Sequence, residues 1–318
     1  MVQGFKSLLP HYPFSCLAAL ANPAGKSCRY PKSLGFVGSL GLGLLCNRNP
    51  FLRSFPCPSM VRGRNFDVRF TPEMLVEYDS KRRGICIEEF GVAPTVVICW
   101  NLRATKSLAE KAKAKQSKSW PYGEFYPLFR GKVGRRPVCF AHAPVGAPAT
   151  IMFMEEMSAC GAKAFIGFGY AGSLSRRAPI GSCLVPTECI REEGTSSHYI
   201  GPREKAPPSE RMRKGLMAAC KASGLKALSG PHWTTDGVYR ELVSKIANYG
   251  KRGVLGVDME TSAMYAFCKF KGFDVCNLLV VSDELWGKWN PAFGKDELRQ
   301  ASARAEDALL YALKKKVV

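Results

Sequence analysis

From residue 95 onward, short unbroken apolar runs alternate with longer stretches in which apolar residues recur every three or four positions. Thr95–Trp100, Arg136–Ala141, Ala164–Phe168, Gly181–Ile190 and Val275–Val281 are runs of the first kind and read as buried strands. Lys106–Lys115, Ala149–Cys160, Arg211–Ser223, Arg240–Tyr249 and Lys295–Lys316 have the second period and read as helices. Thr71-Pro72-Glu73 marks an earlier helix start. The glycines of Gly169-Tyr170-Ala171-Gly172 predict a turn after the third strand. Strands alternating with helices predict one three-layer α/β/α domain around a central, mostly parallel mixed sheet.

One stretch breaks the separation of apolar core from polar surface. Gly253–Leu285 carries Glu260 and Asp283 in apolar surroundings. Glu260 opens a helical pattern through Met264, Phe267 and Cys268, which Gly272 stops. Asp283 falls just past the Val275–Val281 strand, and a carboxylate at the carboxyl end of a buried strand is where open α/β sheets place their chemistry.

Composition changes this picture at the amino end. Residues 1–60 hold six Lys or Arg and no Asp or Glu, and are rich in Pro, Gly, Ser and Leu. Their longest apolar run, Leu34–Cys46, is too short to span a bilayer. They read as a disordered or targeting-type extension, with residues 61–318 as the catalytic domain. Those 258 residues carry 40 basic and 26 acidic side chains, a net of +14 that favours anionic ligands. No nucleic-acid-binding signature accompanies that charge, so neither nucleic acid nor membrane is expected as a partner. The 13 Cys lie at irregular spacings without a C-x-x-C pair. They read as reduced thiols rather than metal ligands, which fits a cytoplasmic protein. An organelle address follows only if residues 1–60 are a transit peptide.

Val257-Asp258-Met259-Glu260 and Ser282-Asp283 resemble motifs of the nucleoside phosphorylase family, which holds purine nucleoside phosphorylases, uridine phosphorylases and related nucleosidases. Gly146-Ala147-Pro148, the glycines from Gly169 to Gly172, Glu193-Gly194-Thr195-Ser196 and Trp233-Thr234-Thr235-Asp236 extend the likeness in order, over roughly residues 90 to 315. The resemblance implies cleavage of a nucleoside N-glycosidic bond. Glu260 would accept hydrogen bonds from the ribose hydroxyls, with Met259 against the sugar. Asp283 would protonate N7 of a purine leaving group. The base would lie among Tyr170, Ala171, Gly172, Val238 and Asp283. Trp233 is a further candidate for stacking on the base, and His198 for the ribose 5′ end.

On the phosphate side the pattern departs from the family. The family's Gly-Asp-Pro-x-Arg corresponds to Trp100-Asn101-Leu102-Arg103, and its next phosphate-binding Arg falls at Gly167. Arg103 is the remaining phosphate candidate, with Arg130, Arg240 or an Arg of a neighbouring subunit as substitutes. The resemblance implies a pentosyltransferase with inorganic phosphate as co-substrate, no cofactor or metal, and a homo-oligomer between dimer and hexamer. Phosphorolysis of a purine nucleoside is the first expectation. Hydrolysis, a uridine phosphorylase, and a non-catalytic binding or storage protein are the alternatives.

Overall fold

The computed structural model describes residues 68–315 and 318. The expectations for residues 1–60 therefore lie outside the described residues. The helices are α1 (Pro72–Arg83), α2 (Leu102–Lys111), α3 (Ala147–Ala159), α4 (Glu210–Ala222), α5 (Val243–Lys251), α6 (Thr261–Lys271) and α7 (Asp296–Lys314). The strands are β1 (Thr95–Cys99), β2 (Lys115–Gln116), β3 (Leu128–Val133), β4 (Arg136–His142), β5 (Ala164–Ser173), β6 (Cys183–Glu192), β7 (Ala227–Thr235), β8 (Gly256–Asp258), β9 (Asp274–Glu284) and β10 (Asn290–Pro291).

All ten strands join one mixed sheet, in the order β10-β9-β6-β7-β8-β5-β1-β4-β3-β2. The long pairings β5–β9, β6–β7, β1–β4 and β1–β5 are parallel, and β3–β4 is an antiparallel hairpin. β9 also pairs with β5, which closes β5, β9, β6, β7 and β8 into a ring. Ala171, Leu184, Leu255, Leu279 and Val281 pack together inside it. β1, β4, β3 and β2 form an open wing beyond β5.

Side-chain alternation along β1 shows how the layers are built. Val97 and Cys99 pack with α2, α4 and α7 on one face. Val96 and Ile98 pack with α3 and α6 on the other. Burying both faces explains why β1 is apolar throughout.

Several elements depart from the sequence expectation. The glycines after Phe168 form no turn, because β5 continues to Ser173. They are there for close packing: a Cβ on Gly169 would lie 2.6 Å from the Trp100 ring, and one on Gly172 would lie 2.7 Å from Leu285. α2 starts four residues earlier than expected, because the Asn101 side chain caps it by accepting from the N–H groups of Arg103 (2.9 Å) and Ala104 (3.2 Å). β7 was not expected, since Gly230-Pro231 punctuates it. Pro231 falls where the β6–β7 register shifts, a place that tolerates a missing donor. α5 begins at Val243 rather than Arg240, after a short 3-10 turn at Val238–Arg240.

Candidate active site

Four segments converge on one cavity of about 740 Å³: the end of β1, the glycine-rich half of β5, the β8–α6 junction and the end of β9. Met259, Glu260, Tyr170, Ala171, Gly172, Val238 and Asp283 all line it. These seven expected residues are thus in one place, while Trp233 and His198 are not among them.

Glu260 is the N-cap residue of α6 and is 5% exposed. Its Oε1 accepts from the Gly146 N–H at 2.6 Å and its Oε2 from the Met259 N–H at 3.3 Å. Gly146 has φ +102°, a conformation that favours glycine and turns its N–H toward the carboxylate. Burial, then the charge of Asp258, pushes the Glu260 carboxyl up to about 8. Asp258 borders the cavity too, with its carboxylate engaged in a polar cluster. It accepts from Thr234 Oγ1 (2.8 Å), the Thr261 N–H (3.1 Å) and the Thr261 hydroxyl, and lies 3.3 Å from His232 Nε2.

Asp283 lies within β9 rather than beyond its end, and a bulge there re-aims it. Ala171 pairs with Val281 and Gly172 with Asp283, so Ser282 is the extra residue. Asp283 Oδ1 accepts from Ser282 Oγ (2.8 Å) and Oδ2 from Trp289 Nε1 (2.9 Å). Glu241 lines the same cavity and was missed in the sequence. Burial, then the charge of Asp283, pushes its carboxyl up to about 7. Burial and a neighbouring negative charge both favour the neutral form of Glu241.

The structure explains the altered phosphate motif. A Cβ on Gly167 would lie 2.5 Å from the Asn277 side chain, so no arginine fits there. Asn277 instead accepts from the Gly167 N–H (3.2 Å) and donates to Thr261 Oγ1 (2.7 Å). Trp100, whose indole N–H donates to Thr150 Oγ1 at 2.8 Å, lines the main cavity where the family pattern has a glycine loop. Arg103 lines a separate, adjoining cavity.

Other candidates are elsewhere. Trp233 is 1% exposed, donates to Glu192 and packs on Tyr249, so it is a core residue. His198 borders a concavity with Met152 and Asp236. Arg130 and Arg240 are exposed and line neither cavity. Among the described residues no cluster of His, Cys, Asp or Glu could hold a metal ion, and no helix is long and apolar enough to cross a membrane.

This fold and site define a phosphorylase-type α/β protein, and comparison with known proteins agrees. The profile of the phosphorylase superfamily matches residues 94–314, and the chain belongs to that family. It is 26% identical over 171 residues to a guanosine phosphorylase of Halorubrum lacusprofundi, a match covering 53% of this chain and 71% of that protein. It is 22% identical to the uridine phosphorylase of Haemophilus influenzae, covering 45% of this chain and 62% of that one. A purine nucleoside phosphorylase of Alkaliphilus metalliredigens is 24% identical, with 49% and 68% covered. The crystal structure of uridine phosphorylase from Vibrio fischeri shares the fold with a TM-score of 0.62 at 24% identity, covering 72% of this chain and 93% of that one.

Proposed function

We propose that the chain is a nucleoside phosphorylase that converts a purine nucleoside and inorganic phosphate to the free base and ribose 1-phosphate. The observation that carries this reading is the placement of Glu260 and the Glu241–Asp283 pair on the walls of one cavity. Glu260, ionised, accepts from the ribose 2′- and 3′-hydroxyls and complements the positive charge that develops on the ring as the bond breaks. A phosphate oxygen forms the new bond to C1′ while the C1′–N9 electron pair passes to the base. Asp283 donates a proton to N7, which makes the base a neutral leaving group. Ser282 and Trp289 hold Asp283 in position. A pyrimidine has no N7 to use this proton, which supports a purine preference although relatives of both kinds resemble the chain.

Hydrolysis is the second reading, and the filled space at Gly167 is what favours it. Incubation with inosine, guanosine, adenosine and uridine, with and without phosphate, separates the readings. Ribose 1-phosphate from a purine nucleoside supports the first, free ribose at a phosphate-independent rate the second, and no turnover a binding or storage role.

A homo-oligomer fits the exposed apolar residues at the cavity mouth, Tyr239 (96%), Trp289 (58%) and Phe293 (56%), which a second subunit would cover. Light scattering on the purified protein tests that. Cys99, Cys139, Cys183 and Cys276 are free buried thiols, whereas Cys86 is disulfide-bonded, against the expectation that every cysteine is reduced.

A further inference from the structure

Among the described residues, the charged side chains lining the nucleoside cavity are all acidic: Glu241, Asp258, Glu260 and Asp283. Those walls offer a phosphate dianion no cationic side chain. Next to them lies a smaller cavity of about 300 Å³ between α2 and α7, which shares Asn101, Tyr170 and Phe293 with the first. It is lined by Arg103, Lys295 and Arg299.

We propose that this side cavity is the binding site for inorganic phosphate, with Lys295 and Arg299 of the α7 start and Arg103 of α2 as its cations. Arg299 is held in place by Asp296 and by the Gly294 carbonyl. Among the described residues, neither Arg103 nor Lys295 has an ion-pair partner. The one acid lining the cavity, Glu306, is 4% exposed and already engaged by Lys111 Nζ (3.0 Å) and Ser107 Oγ (2.6 Å). Asp296 offsets the charge of Arg299, which leaves Arg103 and Lys295 as the cations an entering anion would neutralise. Tyr170 reaches from β5 to this junction, where its hydroxyl meets Ser302 Oγ at 3.3 Å, so hydroxyl donors stand beside the cations. Asn101 and Tyr170 border both cavities, so a phosphate held here has a path toward the sugar.

The inference rests on the phosphorolytic reading, and the test keeps the two apart. Initial rates of the full-length protein are measured at saturating inosine against inorganic phosphate, with the sugar product identified. Lys295→Gln and Arg103→Gln are each expected to raise the KM for phosphate about 10- to 100-fold, as loss of a charge-assisted hydrogen bond does. The inosine KM changes less than about threefold, and Lys295→Arg stays near wild type. Phosphate should also raise the thermal midpoint of the wild type and not that of the double variant. Ribose 1-phosphate formed with an unchanged phosphate KM in both Gln variants overturns the side cavity and leaves phosphorolysis standing. Free ribose at a phosphate-independent rate overturns both. If inosine 5′-monophosphate competes better than inosine, and Lys295→Gln abolishes that advantage, the cavity takes an ester phosphate and the inference also fails.

Discussion

Glu260→Gln should lower activity and raise stability, and the balance should change sign with pH. In the folded chain Glu260 is 5% exposed, its donors are two backbone N–H groups, and its carboxyl is pushed up to about 8 by burial and by Asp258. A glutamate in the unfolded chain titrates near 4.5. Between these values the folded state binds the extra proton, so unfolding becomes easier as pH rises from about 4.5, and the loss is complete above about 8. At ~1.4 kcal/mol per pH decade the ceiling is about 5 kcal/mol. The glutamine amide cannot accept from the Met259 N–H, which returns about 1–2 kcal/mol. The variant is therefore expected to be about 3 kcal/mol more stable than wild type at pH 9, and slightly less stable at pH 5. Urea unfolding at the two pH values measures this. Turnover of the same variant should fall about 10²-fold or more, because the amide carries no charge to oppose the developing cation. Equal stability of the two proteins at pH 9 would refute the buried-carboxylate argument, and normal turnover in a folded variant would refute the sugar assignment.

Other outcomes follow from the base side and from packing. Asp283→Asn should slow inosine more than a 7-methylpurine nucleoside, within the ~10²–10⁴-fold of general acid catalysis; equal slowing of both would make Asp283 a structural residue. The wild-type kcat/KM should rise to about pH 7, stay level to about 8 and fall above it, since Glu260 must lose its proton and Glu241 keep one. In Glu241→Gln the alkaline fall should vanish, leaving a slower enzyme whose profile climbs to about pH 8. Gly169→Ala should cost about 1–3 kcal/mol in denaturant unfolding, because its Cβ would lie 2.6 Å from the Trp100 ring.

What could be read from the chain was what lies close together in it. Met259, Glu260 and Asp283 occupy one short stretch whose apolar surroundings expose two acids, and their place in the cavity follows. β7 and β8 were not legible, because Gly230-Pro231 interrupts the first and the second has only three residues. The Asp283–Glu241 pair joins acids 42 positions apart, one in a surface loop, and nothing local links them. Glu241 was within reach as an acid shortly after Val238, one of the residues expected around the base. Arg103 and Lys295 share a cavity from positions nearly two hundred residues apart, which only the packing of α2 and α7 brings about. The glycines of β5 were noticed for the wrong reason: they make room for Trp100 and Leu285 rather than turning the chain.

The closed ring of β5, β9, β6, β7 and β8 ties assembly of the catalytic walls to the slowest kind of folding event. β5 and β9 pair across about 110 residues of intervening chain, and the three-residue β8 is the link that joins β7 back to β5. Loop closure of that length delays the pairing until late in folding. The segment proposed to hold the sugar leaves β8 directly, and the carboxylate proposed to serve the base sits on β9. A half-folded chain whose wing and outer helices have formed would therefore still lack a nucleoside site, so binding competence reports completion of the ring and not the mere presence of secondary structure.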